Sequence, residues 1–169
     1  MRRTRPTAEV EDPDDAGAAE EVALRILTGA AQPAATLQRR LRQRGFSASA
    51  ARTAVDRCRR RGYVDDAALA ASLTGRMRGA GRGTARIAAD LRRRGIAADV
   101  VETALGPVEE RGDDAAALEV GRKLLHRELA RAREDGGARR RLAGALQRRG
   151  FAAGVIAQTL RVLAEEART

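Results

Sequence analysis

Two pairs of adjacent aspartates, Asp65 with Asp66 and Asp113 with Asp114, are the residues of this chain whose type and spacing most readily suggest catalysis. Neighbouring carboxylates can hold magnesium or share a proton. Both pairs, however, stand where a helix begins. A side-chain oxygen there satisfies a free amide, and its charge favours the positive end of the helix dipole. No third carboxylate is held beside either pair by sequence, so both pairs are read as caps in equivalent places. A metal-dependent nuclease using Asp65, Asp66, Asp113 or Asp114 is the catalytic alternative.

Other chemical candidates are few. Cys58 is the only cysteine, which excludes an intrachain disulfide and a cysteine zinc site, and its apolar, arginine-rich helix makes it a small, partly buried residue. His126 is the only histidine and has no Cys or His partner for metal binding. Gly79, Gly81, Arg82, Gly83 and Thr84 superficially resemble a phosphate-binding loop, but the β-branched run and the lysine of such a site are missing. A flexible connection is the preferred reading there, and backbone contact to a nucleic-acid phosphate with help from Arg82 is the lesser one. No cofactor and no metal are expected.

Charge is the stronger signal. The net charge is +10, yet residues 1–21 hold three arginines against seven carboxylates, a net of −4, which leaves +14 on the remainder. Lys123 is the only lysine, so this charge is almost all guanidinium, the group that binds phosphate and carboxylate in bidentate fashion. The candidate basic faces are Arg39, Arg40, Arg42 and Arg44; Arg59, Arg60 and Arg61; Arg82; Arg92, Arg93 and Arg94; and Arg139, Arg140 and Arg141 with Arg148 and Arg149.

The elements that must position these groups recur. Leu37, Leu41, Gly45 and Phe46 reappear as Ile87, Leu91, Gly95 and Ile96, and again as Leu142, Leu146, Gly150 and Phe151. Two aliphatics four apart share a helical face, and a glycine after a basic residue stops the helix by adopting a left-handed conformation. The residue after the glycine then folds back, which pairs Phe46 with Leu41, Ile96 with Leu91 and Phe151 with Leu146. A second helix follows each turn, marked by Ala51 and Val55, Val101 and Leu105, and Ile156 and Leu160. The glycines lie 50 and 55 residues apart, enough for one further helix in each interval. The expectation is an all-α chain of three tandem three-helix, helix-turn-helix-like repeats.

The expected domains are a disordered acidic tail over 1–17 and repeats over 18–62, 63–108 and 109–169. Helices are predicted over 18–28, 34–44, 49–61, 86–94 and 98–105. A longer one runs from Asp113 towards Arg133 and is separated from the third copy by Asp135, Gly136 and Gly137. Ser47 or Ser49 caps the third helix, and Gly62 ends it with Tyr63 just beyond. Aromatics are only 2% of the chain, so the core is expected to be thin and aliphatic. There is no apolar run long enough to span a membrane and no signal-peptide core, and the expected location is cytoplasmic.

Taken together, Arg44-Gly45-Phe46, the run from Gly62 to Asp66 with Leu69 and Ala70, the stretches from Gly83 to Ile87 and from Leu91 to Ile96, and the run from Arg148 to Phe151 resemble the RecX regulators of the RecA recombinase. The resemblance covers roughly residues 20–165. Two departures stand out: Gln32-Pro33 replaces a basic residue and serine, which weakens the cap of the second helix, and Leu69 replaces an aromatic. The resemblance implies a curved, elongated helical solenoid seated in the groove of a RecA filament on single-stranded DNA. It also implies inhibition of strand exchange, ATP hydrolysis and repressor autocleavage without catalysis, by a protein expected to be monomeric. Direct contacts to DNA phosphate fit the arginines. The alternative is a helical DNA-binding module independent of RecA.

Overall fold

The computed structural model describes residues 10–107, 112–129 and 137–167, with backbone alone for 126–129. Among these residues there are nine α-helices and no strand: α1 (Ala16–Gly29), α2 (Ala34–Arg42), α3 (Ala48–Arg60), α4 (Asp66–Gly79), α5 (Thr84–Arg93), α6 (Ala98–Leu105), α7 (Asp113–Leu129), α8 (Gly137–Arg148) and α9 (Ala153–Glu166). The expectations for 1–9, Glu109 to Arg111, the helix beyond Leu129, Asp135, Gly136 and the His126 side chain lie outside the described residues. The chain forms two compact units, one of residues 1–70 with 94–100 and one of 71–93 with 101–169.

In the first unit, Asp15 accepts hydrogen bonds from the amides of Gly17 at 2.7 Å and Ala18 at 3.0 Å, so α1 begins two residues before the expected start at 18. The disordered-tail expectation is therefore wrong for residues 10–17. Val10 packs against the core, and the carbonyl of Pro13 accepts from the amide of Ser47 at 2.7 Å. Helices α1, α2 and α3 bury Ala19, Ala23, Leu37, Leu41, Ala51 and Ala54 between them. Alanines let these helices approach closely, which suits a core with so few aromatics.

Helix α2 ends at Arg42 instead of Arg44 because its last turn tightens: the Arg44 amide donates to Leu41 O at 2.9 Å and that of Gly45 to Arg42 O at 3.0 Å. Gly45 then takes φ 101°, and Phe46 turns inward and is buried. Ser47 accepts from the Ala50 amide at 3.2 Å and starts α3. Gly62 (φ 75°) ends α3 in the same manner, with the Tyr63 amide donating to Cys58 O at 2.9 Å. The side chain beyond this turn does not pack, however. Tyr63 is 54% exposed, and Val64 takes the inward place.

The two aspartate pairs divide their work in a way that corrects the capping expectation. Asp65 caps its own helix, accepting from the Ala68 amide at 2.8 Å. Asp66 instead accepts from the amide of Ala34 at 2.9 Å, the first residue of α2, whose N-cap Pro33 has no hydrogen-bonding side chain. In the second unit, Asp113 accepts from the amide of Thr84 at 3.2 Å and its hydroxyl at 3.0 Å, at the start of α5 after the side-chain-free Gly83. The equivalent residues are thus Asp66 and Asp113, one position out of step with the pairs as read. Asp114 is exposed and makes no cap bond among the described residues.

In the second unit, α7, α8 and α9 surround Ala117, Leu142, Leu146, Phe151, Ile156 and Leu163. Gly150 (φ 86°) sits against the first turn of α5, where an added Cβ would lie 2.4 Å from Arg86 Cβ and 2.5 Å from its amide nitrogen. In the first unit, a Cβ on Gly95 would lie 2.8 Å from Thr36 Oγ1, at the corresponding third residue of α2. The carbonyl before each glycine is bonded as well: Arg94 O accepts from the Thr36 hydroxyl at 2.8 Å, and Arg149 O accepts from the Gly83 amide at 2.9 Å. The same glycine turn therefore docks on the same part of a helix in both units.

Candidate binding surfaces

The glycine loop is closed to phosphate. The amides of Gly81, Arg82 and Gly83 donate to Arg78 O, Met77 O and Arg149 O at 2.8, 3.0 and 2.9 Å, and that of Thr84 donates to Asp113. With these donors satisfied internally, the connection is a packed turn and not a flexible loop, and Arg82 stands beside it half-buried. Among the described residues no group of three or more His, Cys, Asp or Glu could hold a metal ion. Of the aspartates of the nuclease reading, Asp65, Asp66 and Asp113 are likewise spent on helix starts.

The arginines fall into two groups. Some are tied to carboxylates: Arg59 lies 3.7 Å from Asp66 and 4.0 Å from Asp56, Arg92 lies 2.9 Å from Glu102, and Arg93 lies 2.5 Å from Asp90. Arg61 pairs with Glu20, which also holds Arg57 at 3.3 Å. Glu20 and Asp90 are both buried, so these pairs join helix to helix or brace a single helix face. Asp90 meets Arg93 three residues on and Arg86 four residues back, at 3.8 Å, both at the local spacing of a single helix face. The Glu20 contacts, made across α1 and α3, had no such signal.

A second group makes no ion pair among the described residues: Arg40, Arg42, Arg60, Arg94, Arg139, Arg140 and Arg148. Arg39, Arg44 and Arg149 bond to neutral oxygens, of Thr36, Arg40 and Ala145 respectively, and form no ion pair among the described residues. Arg141 has a partner, so it does not join this group. The surviving cationic groups lie on α2 and its turn, at the end of α3, on the turn after α5 at Arg94, and on α8 and its turn.

Burial and charge also set the chemistry of Cys58. Desolvation pushes its thiol pKa up, Glu20 adds to the rise and Arg61 opposes it. A thiol held neutral and fully buried is a poor nucleophile, so it acts as a packing residue. No helix among the described residues is long and apolar enough to cross a membrane.

Helices in sets of three, with guanidinium groups at the ends of the middle helices, place the chain among proteins built from three-helix domains. Residues 65–105 match the family model described as RecX, second three-helix domain. The chain is 38% identical over 140 residues to a protein of Trichlorobacter lovleyi named Regulatory protein RecX, covering 80% of this chain and 89% of that one. A protein of the same name from Mycobacterium avium is 31% identical over 98% of this chain and 94% of its own. The chain belongs to the RecX family of regulatory proteins. Its fold is similar to the crystal structure of RecX from Lactobacillus salivarius, with a TM-score of 0.77 at 17% identity, over 89% of this chain and 97% of that one.

Proposed function

We propose that this protein binds a RecA filament on single-stranded DNA and inhibits its recombinase, ATPase and coprotease activities, thereby modulating homologous recombination, DNA repair and the SOS response. It acts by binding and not by catalysis, as a cytoplasmic monomer. Membership of the RecX family carries this reading. The unpaired arginines support it, because a guanidinium without an internal carboxylate is free to meet an acidic protein surface or a DNA phosphate. On this reading Arg40, Arg42, Arg60, Arg139, Arg140 and Arg148 are the contact residues, while Arg61, Arg92 and Arg93 serve the fold.

The test is RecA's single-stranded-DNA-dependent ATP hydrolysis as this protein is titrated in, with binding to DNA alone measured at the same salt. Inhibition well below the concentration that coats the DNA supports action on the filament. Inhibition only once the DNA is saturated replaces this reading with the RecA-independent DNA-binding module, whose affinity falls steeply with salt.

A further inference from the structure

Beside the packed faces of α1 and α2 in the first unit lies an open cleft of about 660 Å³. Its floor is apolar, formed by Val22 and Ile26 of α1, both half-buried, and by Phe46. Its lining also carries charge of both signs: Glu11, Asp12 and Asp15, from the segment leading into α1, and Arg25, Arg40 and Arg44. Among the described residues no ion pair joins these carboxylates to these arginines. The acidic segment is held in place by the Pro13 carbonyl on the Ser47 amide at 2.7 Å, by Asp12 accepting from the Asp14 amide at 2.9 Å, and by Asp15 at the start of α1.

This arrangement discriminates between ligands. A phosphate backbone drawn to the arginines meets three carboxylates in the same cleft, and the repulsion offsets the attraction. It also leaves the apolar floor uncovered. A protein segment satisfies all three surfaces at once: an apolar side chain on Val22, Ile26 and Phe46, an acidic residue against the arginines and a basic one against Glu11 and Asp12.

We infer that this cleft docks a short segment of the protein component of the filament, an apolar anchor flanked by one acidic and one basic residue. Arg25, Arg40 and Arg44 thereby recognise protein and not DNA. The inference rests on the filament reading above and says which component this end of the chain grips.

The experiment compares Val22→Ser and the double variant Arg25→Glu with Arg40→Glu against the unaltered chain. The probes are RecA filaments on a labelled oligo-dT and the same oligo-dT without RecA, with circular dichroism to confirm folding. Both variants are expected to lose roughly tenfold in filament affinity, the scale of a buried anchor in an interface. Val22→Ser is expected to leave binding to bare oligo-dT unchanged. If the double variant misfolds, Val22→Ser decides alone.

Filament affinity unchanged in the folded variants overturns the cleft. So does an equal loss on bare oligo-dT, which makes the occupant nucleic acid, and so does a dimer of the unaltered chain that Val22→Ser dissociates, which makes it a second copy. Should the unaltered chain bind filaments no better than bare oligo-dT, the filament reading itself falls and the inference with it.

Discussion

The carboxylate of Asp66 reaches 32 residues back along the chain to cap Ala34, giving α2 the acceptor that Pro33 cannot supply. The weakened cap implied by Gln32-Pro33 is thus made good from a distant part of the sequence. Asp66→Ala is expected to destabilise the first unit by about 1–2 kcal/mol, the usual cost of a lost cap. Asp66→Asn, which keeps an acceptor oxygen, should lose less. Urea unfolding followed by far-UV circular dichroism reads both values, and equal losses in the two variants would show that the charge, facing Arg59, matters more than the cap.

Gly45 and Gly150 share a left-handed backbone but not their surroundings. A Cβ on Gly45 would make ordinary contact with Val10 at 3.5 Å, whereas one on Gly150 would strike the backbone of Arg86. Gly45→Ala should therefore cost about 1–2 kcal/mol from backbone strain alone. Gly150→Ala should cost about 2–5 kcal/mol, because the start of α5 must move as well. Thermal unfolding of the two variants ranks them directly.

Cys58 is 0% exposed with its thiol pKa raised by burial, so a thiol reagent at pH 8 should react with the native protein only through opening of the first unit. The expected result is slow labelling that accelerates in urea in step with unfolding. Rapid labelling without denaturant would place the thiol at the surface.

Arg122 lies beside Glu166 and holds its carboxyl below the ordinary value of 4.5, chiefly through their hydrogen bond. A carboxylate whose pKa is depressed on folding stabilises the native state above the unfolded value, and that contribution is lost as the pH falls through the depressed one. Glu166→Gln should flatten the acid limb of the stability curve below pH 4.5 and leave the neutral and alkaline limbs parallel to those of the unaltered chain. The pair is solvent-exposed, so the change should shrink in high salt.

Reversing Arg139, Arg140 and Arg148 together is expected to weaken inhibition of RecA ATP hydrolysis with little loss of stability, since none of the three is paired among the described residues. Arg61→Glu should instead act mainly on stability, because it sets a second carboxylate against the buried Glu20. Comparing inhibition with unfolding midpoints separates the two classes of arginine.

The helical class and the glycine stops were legible because they depend on near neighbours: aliphatics four apart and a glycine placed for a positive φ leave their mark within ten residues. What escaped notice depends on distance in sequence. Nothing around Asp66 or Asp113 marks the amides of Ala34 and Thr84 as their partners, and the adjacency of each pair suggested the wrong register. Glu20 entered only the charge count of residues 1–21 until α3 brought Arg57 and Arg61 to it. An arginine that holds the fold and one that is free have the same local sequence, so the basic faces could be named but not sorted. The phosphate-loop resemblance failed because composition does not show where a backbone amide is already bonded.

Tyr63 projects outward, and the chain contains one tyrosine and no tryptophan. The protein therefore absorbs little in the near ultraviolet, and its one tyrosine is already 54% exposed in the folded chain. Unfolding must be followed through the peptide bond. Conversely, the emission of any tryptophan-bearing partner can be read against almost no background, so association is visible without a label.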